Sequence, residues 1–385
     1  MSTLVRRLFL AIVGGCVAAS VVAVSPVAAV DGGTVWTVGQ GGQGQLGSGV
    51  RADRLVLGGV SGPQNVAEID GGRDHAIALD GAGSVWTWGN GDYGTLGLGS
   101  TKDGLAAAKV PGVAGVVQVE TGHYHSMALR SDGTVRVWGR NHLGQLGDGT
   151  TADRLSPIRV PGLSAVTNVA AGRDFSIALL SNGNVRAWGG GVNGELGNGT
   201  TPVSRPTPAR VTGLTGVKAI AGGRNHALAL LNDGTVRAWG MNSSGQLGDG
   251  TRTNRSLPVA VRGVSNAVAI TAGAGHSVAV LADGRVLTWG EGGLGQLGSG
   301  SGLDRLTAAP VAGVPAIRTA DCGRDHTMLV TRDGQLWTFG ANDVGQLVDG
   351  GTTNRRTPFH VPGIDDVVEP GGGNAYTVLL RAPSA

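Results

Sequence analysis

A unit of about fifty residues, written seven times, constrains this chain more than any other feature. The glycine that closes each Trp-Gly-like pair falls at Gly39, Gly89, Gly139, Gly189, Gly240, Gly290 and Gly340, a step of 50 or 51 residues. Before each comes a short segment with strand character: VWTVG, VWTWG, VRVWG, VRAWG, VRAWG, VLTWG, LWTFG. After each comes a glycine-rich turn and a Leu-Gly pair, as at Leu146-Gly147. A second marker keeps the same period, from Gly72-Arg73-Asp74-His75 to Gly323-Arg324-Asp325-His326, with Gly372-Gly373-Asn374-Ala375 read as its last copy. Each marker leads into an alternating run such as SMALR or HALAL, and Asp-Gly or Asn-Gly turns join run to run. Two strand-like runs joined through Asp-Gly are a strong hairpin signal. Further strands around 158–160 and 166–170 bring the unit to four, the arithmetic of a propeller blade.

The expected fold is therefore all-β, a seven-bladed β-propeller. The first copy has VWTVG without its hairpin partner, and the last has residues 375–380 with nothing following. Pairing the N-terminal strand, 33–39, with the C-terminal strands would close the ring and remove two sheet edges. Composition agrees: 71 glycines serve many tight turns, and 41% hydrophobic residues supply a core that a disordered chain lacks.

The first 29 residues read as a secretory signal: Arg6 and Arg7, an apolar run from Leu8 to Val24, then Val27-Ala28-Ala29 for cleavage after Ala29. The alternatives are an uncleaved membrane anchor and a lipoprotein signal at Cys16. The mature domain, 30–385, then has a formal charge of +1 instead of +3, because both arginines leave with the signal. Such a balance gives no warrant for nucleic-acid binding, and no membrane segment remains. Cys322 is the only mature cysteine, so an internal disulfide is ruled out.

Several chemical-looking motifs dissolve into the repeat. G-x-G-x-x-G occurs four times, as at Gly89-Gly91-Gly94, but no helical period follows to aim N–H groups at a pyrophosphate. His75, His125, His226, His276 and His326 recur once per blade, spread around a ring instead of clustered as metal ligands are; a structural bond to a neighbouring turn is expected. The tryptophans Trp88, Trp138, Trp188, Trp239 and Trp289, with Phe339 and Val38 in register, are expected to pack between blades. Arg54, Arg154, Arg205, Arg255, Arg305 and Arg355 are expected to form inter-blade salt links. No irregular acid or nucleophile stands out against the pattern, so no catalytic residue, metal site or cofactor is assigned.

The units resemble the regulator of chromosome condensation repeat family, on the pattern W-G-x-N-x-x-G-Q-L-G-D-G-T followed by G-x-x-H-S-x-A-L. The nearest copies run from Trp138-Gly139-Arg140-Asn141 to Gly149-Thr150 and from Trp239-Gly240-Met241-Asn242 to Gly250-Thr251. The resemblance implies a propeller used as a platform for protein partners. In the namesake, a nuclear guanine-nucleotide exchange factor, an inserted β-wedge carries the activity, and the constant spacing here leaves no room for one. Secreted bacterial propellers that inhibit β-lactamases are more distantly similar. They present aromatics at the third position of G-x-x-H; here those positions are Asp74, Tyr124, Asp174, Asn225, Gly275, Asp325 and Asn374, of which only Tyr124 is aromatic.

What remains is a polar ring on one face: Arg73, Asp74, His123, Tyr124, Arg173, Asp174, Arg224, Asn225, Arg324 and Asp325. The simpler reading is that Arg and Asp satisfy each other in solvent. The functional reading is a charged docking face for an unknown secreted or cell-surface protein, with the chain a non-catalytic monomer. A cell-wall or carbohydrate-binding propeller is the alternative.

Overall fold

The computed structural model describes residues 33–383; the segment read as a secretory signal, with the cleavage expected after Ala29, lies outside them. Twenty-eight strands form seven four-stranded antiparallel sheets, and every described strand belongs to one of them. One blade sets the pattern: inner β3 (Val66–Gly71), β4 (His75–Asp80), β5 (Val85–Gly89) and outer β6 (Gly104–Lys109). The other inner strands are β7 (Val116–Thr121), β11 (Val166–Ala171), β15 (Val217–Gly222), β19 (Ala267–Ala272), β23 (Ile317–Cys322) and β27 (Val367–Gly372). Each inner strand contacts the next, and β27 returns to β3, so the ring is closed. Among the described residues no helix is long and apolar enough to cross a membrane.

Closure takes two N-terminal strands, not one. β1 (Thr34–Gly39) pairs with β28 (Tyr376–Arg381), from Thr34 opposite Arg381 to Gly39 opposite Tyr376, and β2 (Arg54–Gly59) pairs outside β1. That sheet runs β2-β1-β28-β27, two strands from each end of the chain. The same register corrects the last motif copy. Tyr376 stands opposite Gly39 as His75 stands opposite Gly89, so the seventh copy is Gly373-Asn374-Ala375-Tyr376, one residue later than the sequence spacing suggests.

The second strand of each blade is buried on both faces, as in His125–Arg130. Its alternation is of size, Ala128 against Leu129, because both faces meet neighbouring blades. The tryptophans pack between blades as expected, fully buried, and each also has a polar anchor: the indole Nε1–H of Trp138 donates to the Thr95 carbonyl at 2.8 Å, and that of Trp188 to Gln145 at 2.9 Å.

Two glycine positions show why the motifs are spelled as they are. Gly139 has φ +103°, and a Cβ there would lie 2.5 Å from the Tyr124 carbonyl oxygen. At Gly122 a Cβ would lie 2.1 Å from His125 Cε1, so the glycine makes room for the ring three residues on.

The histidines bond across the blade boundary to a strand hydroxyl, not to a turn. His75 Nε2 meets Ser126 Oγ at 3.1 Å and His125 meets Ser176 at 3.0 Å; His226, His276 and His326 meet Ser277, Thr327 and Thr377. The hydroxyl donates onward to a loop carbonyl, Ser126 to Thr95 at 3.0 Å. Burial holds these imidazoles neutral, His75 at about 4 and His125 at about 3. The expected inter-blade arginine links are also corrected. Arg154, Arg255 and Arg355 pair with Asp148, Asp249 and Asp349 inside their own connection, six residues back. The described ion pairs that bridge blades are Arg51–Asp103 and Arg252–Asp304.

Candidate functional site

The polar ring sits where the inner strand turns into the second strand, around one mouth of the central channel. Backbone bonds between neighbouring blades fix it: His123 N–H donates to Arg173 O, Arg173 N–H to Arg224 O, Ala274 N–H to Arg324 O and Asn374 N–H to Arg73 O. Four guanidiniums, Arg73, Arg173, Arg224 and Arg324, thus stand around the mouth. Three of them pair with the next residue, Arg73–Asp74 and Arg173–Asp174 at 3.1 Å and Arg324–Asp325 at 3.0 Å. To that extent the simpler reading of the ring is correct. Arg224 differs, because Asn225 follows it and donates to Glu195 Oε1 at 3.1 Å. Among the described residues Arg224 has no carboxylate partner. Burial, followed by the nearby Arg73, Arg173 and Arg224, drives His123 down to about 3, so it is a neutral member of the ring.

Tyr124 belongs to a larger cluster than the sequence indicated. Its hydroxyl accepts from Arg73, and its ring lies 5.3 Å from that of Tyr93 and 4.9 Å from that of His123, both edge-on. The Arg140 guanidinium reaches over both tyrosines, at 4.7 Å from Tyr93 and 5.6 Å from Tyr124. Tyr93 and Arg140 were missed. The available signal was that Tyr93 is the only aromatic between the Trp-Gly and Leu-Gly pairs of any repeat.

Inside the channel the sevenfold pattern does break, contrary to the expectation that no irregular acids were present. Glu68, Asp70, Glu120, Asp321 and Glu369 all line a cavity of about 1070 Å3. Four of them work as staples between blades. Glu369 accepts from Ile69 N–H at 3.1 Å, Glu68 from Val119 N–H at 2.9 Å, Asp70 from Thr121 N–H at 2.7 Å and Asp321 from Gly372 N–H at 2.8 Å. Glu120 has only the Gln118 amide, at 3.3 Å. Burial raises all five carboxyls, Glu68 to about 8 and Asp321 to about 7, and neighbouring carboxylates add to it at Glu68, Glu120, Asp321 and Glu369. The cations on these strands are spent on backbone carbonyls: Arg318 on Val368 at 2.9 Å, Lys218 on Ala267 at 3.4 Å. On the opposite wall the same registers hold Ala170, Ala219, Ala221 and Ala269. Among the described residues no three His, Cys, Asp or Glu side chains are arranged to hold a metal ion. Cys322 fills a buried slot, and burial pushes its thiol well up.

The model of the regulator of chromosome condensation (RCC1) repeat matches residues 82–129, 132–179, 182–230, 233–280, 283–330 and 333–380, and a second model of the same repeat matches six stretches from 66–95 to 317–346. The chain belongs to the RCC1 repeat family. Solved RCC1-type propellers share its fold. Prp20p from Saccharomyces cerevisiae, described with its binding to Gsp1p and histones, is 24% identical with a TM-score of 0.83, covering 92% of this chain and 93% of that one. Human WBSCR16 is 23% identical with a TM-score of 0.82, covering 92% and 100%. Yeast RCC1 (Prp20) bound to Kap60 is 22% identical with a TM-score of 0.85, covering 99% and 97%. An RCC1-type propeller is a binding or exchange-factor fold.

Proposed function

We propose that this RCC1-type propeller is a secreted, non-catalytic docking module that engages a protein partner through the face bearing Arg73, Arg173, Arg224 and Arg324. The observation that carries the reading is the fixed ring of four guanidiniums beside the Tyr93–Arg140–Tyr124 cluster. Arginine and tyrosine are the residues from which interfaces draw most of their energy. The backbone of the four arginines is held by inter-blade hydrogen bonds, so little backbone ordering entropy is lost on binding. Secretion rests on the N-terminal segment that reads as a signal. An exchange-factor role would need a wedge, and every described strand is accounted for by a blade.

Affinity capture from secreted and surface proteins, with the intact domain and with Arg73, Arg173, Arg224 and Arg324 all changed to Ala, tests the reading. Partners held by the first bait and lost from the second support it. Identical partners on both baits defeat it, as does saturable binding of a cell-wall glycan in place of any protein.

A further inference from the structure

A second cavity, of about 700 Å3, opens on the same face as the arginine ring. Its walls carry Arg173, Arg224 and Arg324 beside Asp174, Asp325, Glu195 and Glu291. Taking each charge with its partner removes most of them. Arg173 and Arg324 are paired with Asp174 and Asp325. Glu195 accepts from the Asn193 N–H at 2.8 Å, the Asn193 amide at 2.7 Å and the Asn225 amide at 3.1 Å. Two charged groups of the groove remain without an ion pair or side-chain hydrogen bond among the described residues: the Arg224 guanidinium and the Glu291 carboxylate.

Each lies near charges of both signs and pairs with none of them: Arg224 feels Asp325 as well as Arg173 and Arg324, and Glu291 feels Arg324 and Arg224 as well as Asp325 and Asp304. Burial and then Arg173 and Arg324 hold Arg224 below its usual value. Burial and then Asp325 and Asp304 raise Glu291, which is half-buried over Gly275. An anion brought to Arg224 and a cation brought to Glu291 would each supply the ion pair that the groove leaves unmade. Beside them the rim exposes Val192 at 56% and Leu294 at 38%, an apolar contact next to the two charges.

We infer that this groove binds an extended segment of the protein partner that carries an acidic side chain for Arg224, a basic side chain for Glu291 and an apolar side chain seated against Val192 and Leu294. The inference rests on the docking-module reading and names the chemistry of its ligand. Opposed charges in one groove fix the direction of the segment, because the reversed segment would meet like charge at both ends.

The test is selection of random dodecapeptides displayed on phage against the intact domain. Binding of the selected peptides is then measured to the domain and to Arg224→Gln and Glu291→Gln, both checked for an unchanged melting temperature. Selected peptides should carry one acidic and one basic residue with an apolar residue near them. They should lose about tenfold or more in affinity in either variant, the size of a close interfacial charge pair. The inference is overturned if no peptide is selected, if the peptides share only one sign of charge, or if either variant binds them as well as the intact domain does. It is overturned also if free glutamate or lysine at millimolar concentration displaces them, since the ligand would then be a small molecule. Capture that depends on the arginine ring together with peptides that ignore Glu291 would sink this inference alone. Capture that ignores the ring would sink the docking reading itself.

Discussion

At the scale of single residues, the departures from the repeat come in matched pairs. Where the histidine of G-x-x-H is replaced by Phe175, the hydroxyl it would meet in the next blade is replaced by Ala227; where Tyr376 takes its place, the partner is Ala76. A buried hydroxyl facing an aromatic hydrocarbon would lose one of its bonds, so both members change together. The expected outcome for His125→Phe alone is a loss of about 1–3 kcal/mol in urea unfolding, with most of it recovered when Ser176→Ala is added. Additive losses would show that the two sites are independent. Val348 is a second matched departure. It has φ +63° where six repeats have glycine, and the added Cβ is tolerated because Val38 replaces the tryptophan or phenylalanine ring that a Cβ approaches at Gly97 or Gly298. All three pairs are legible in the sequence only after the neighbour of each blade is known.

At the scale of strands, the inner edge of the ring is held by carboxylates on one side and alanines on the other. The sign of the resulting pH dependence follows from the raised carboxyls. The unfolded chain releases these protons near 3.8 to 4.5, whereas folded Asp321 and Glu68 keep them to about 7 and about 8. Stability from this wall is therefore complete at low pH and is lost as pH rises through that window. The buried histidines act in the opposite direction, and only below about 6.5, as their unfolded forms take up protons. Glu120 isolates the carboxylate effect, because it has no backbone staple to lose. Glu120→Gln is expected to leave the melting temperature unchanged at pH 4 and to stabilise by at least about 1 kcal/mol at pH 8, measured by calorimetry across the range. A gap that does not grow with pH would count against the channel assignment.

At the scale of the whole molecule, stability depends on one sheet made from both ends of the chain. β1 lies between β2 and β28, so its loss orphans β2 and exposes two edges. Deleting Thr34–Gly39 should lower the melting temperature by tens of degrees or prevent folding, and an unchanged value would falsify the closure described above. The docking face inherits its rigidity from that closure, since backbone bonds at the channel mouth cross six of the seven blade boundaries, including Asn374 to Arg73 from the sheet that joins the termini, and the Arg73–Tyr124 side-chain bond crosses the seventh.

The sequence by itself determined the propeller, its seven blades, the burial of the tryptophans and the ten residues of the polar ring. Each of these is a local pattern repeated at a fixed period, and repetition turns weak signals into a strong one. Tertiary structure alone decided which charges remain unpaired and which residues meet across a blade boundary. The five channel acids lie up to about three hundred positions apart, and each looks like an ordinary surface residue until closure brings them to one wall. The polar ring followed the same course. Its arginines were visible as a repeating motif, but their separation into three satisfied pairs and one free guanidinium depends on side-chain geometry that no spacing encodes.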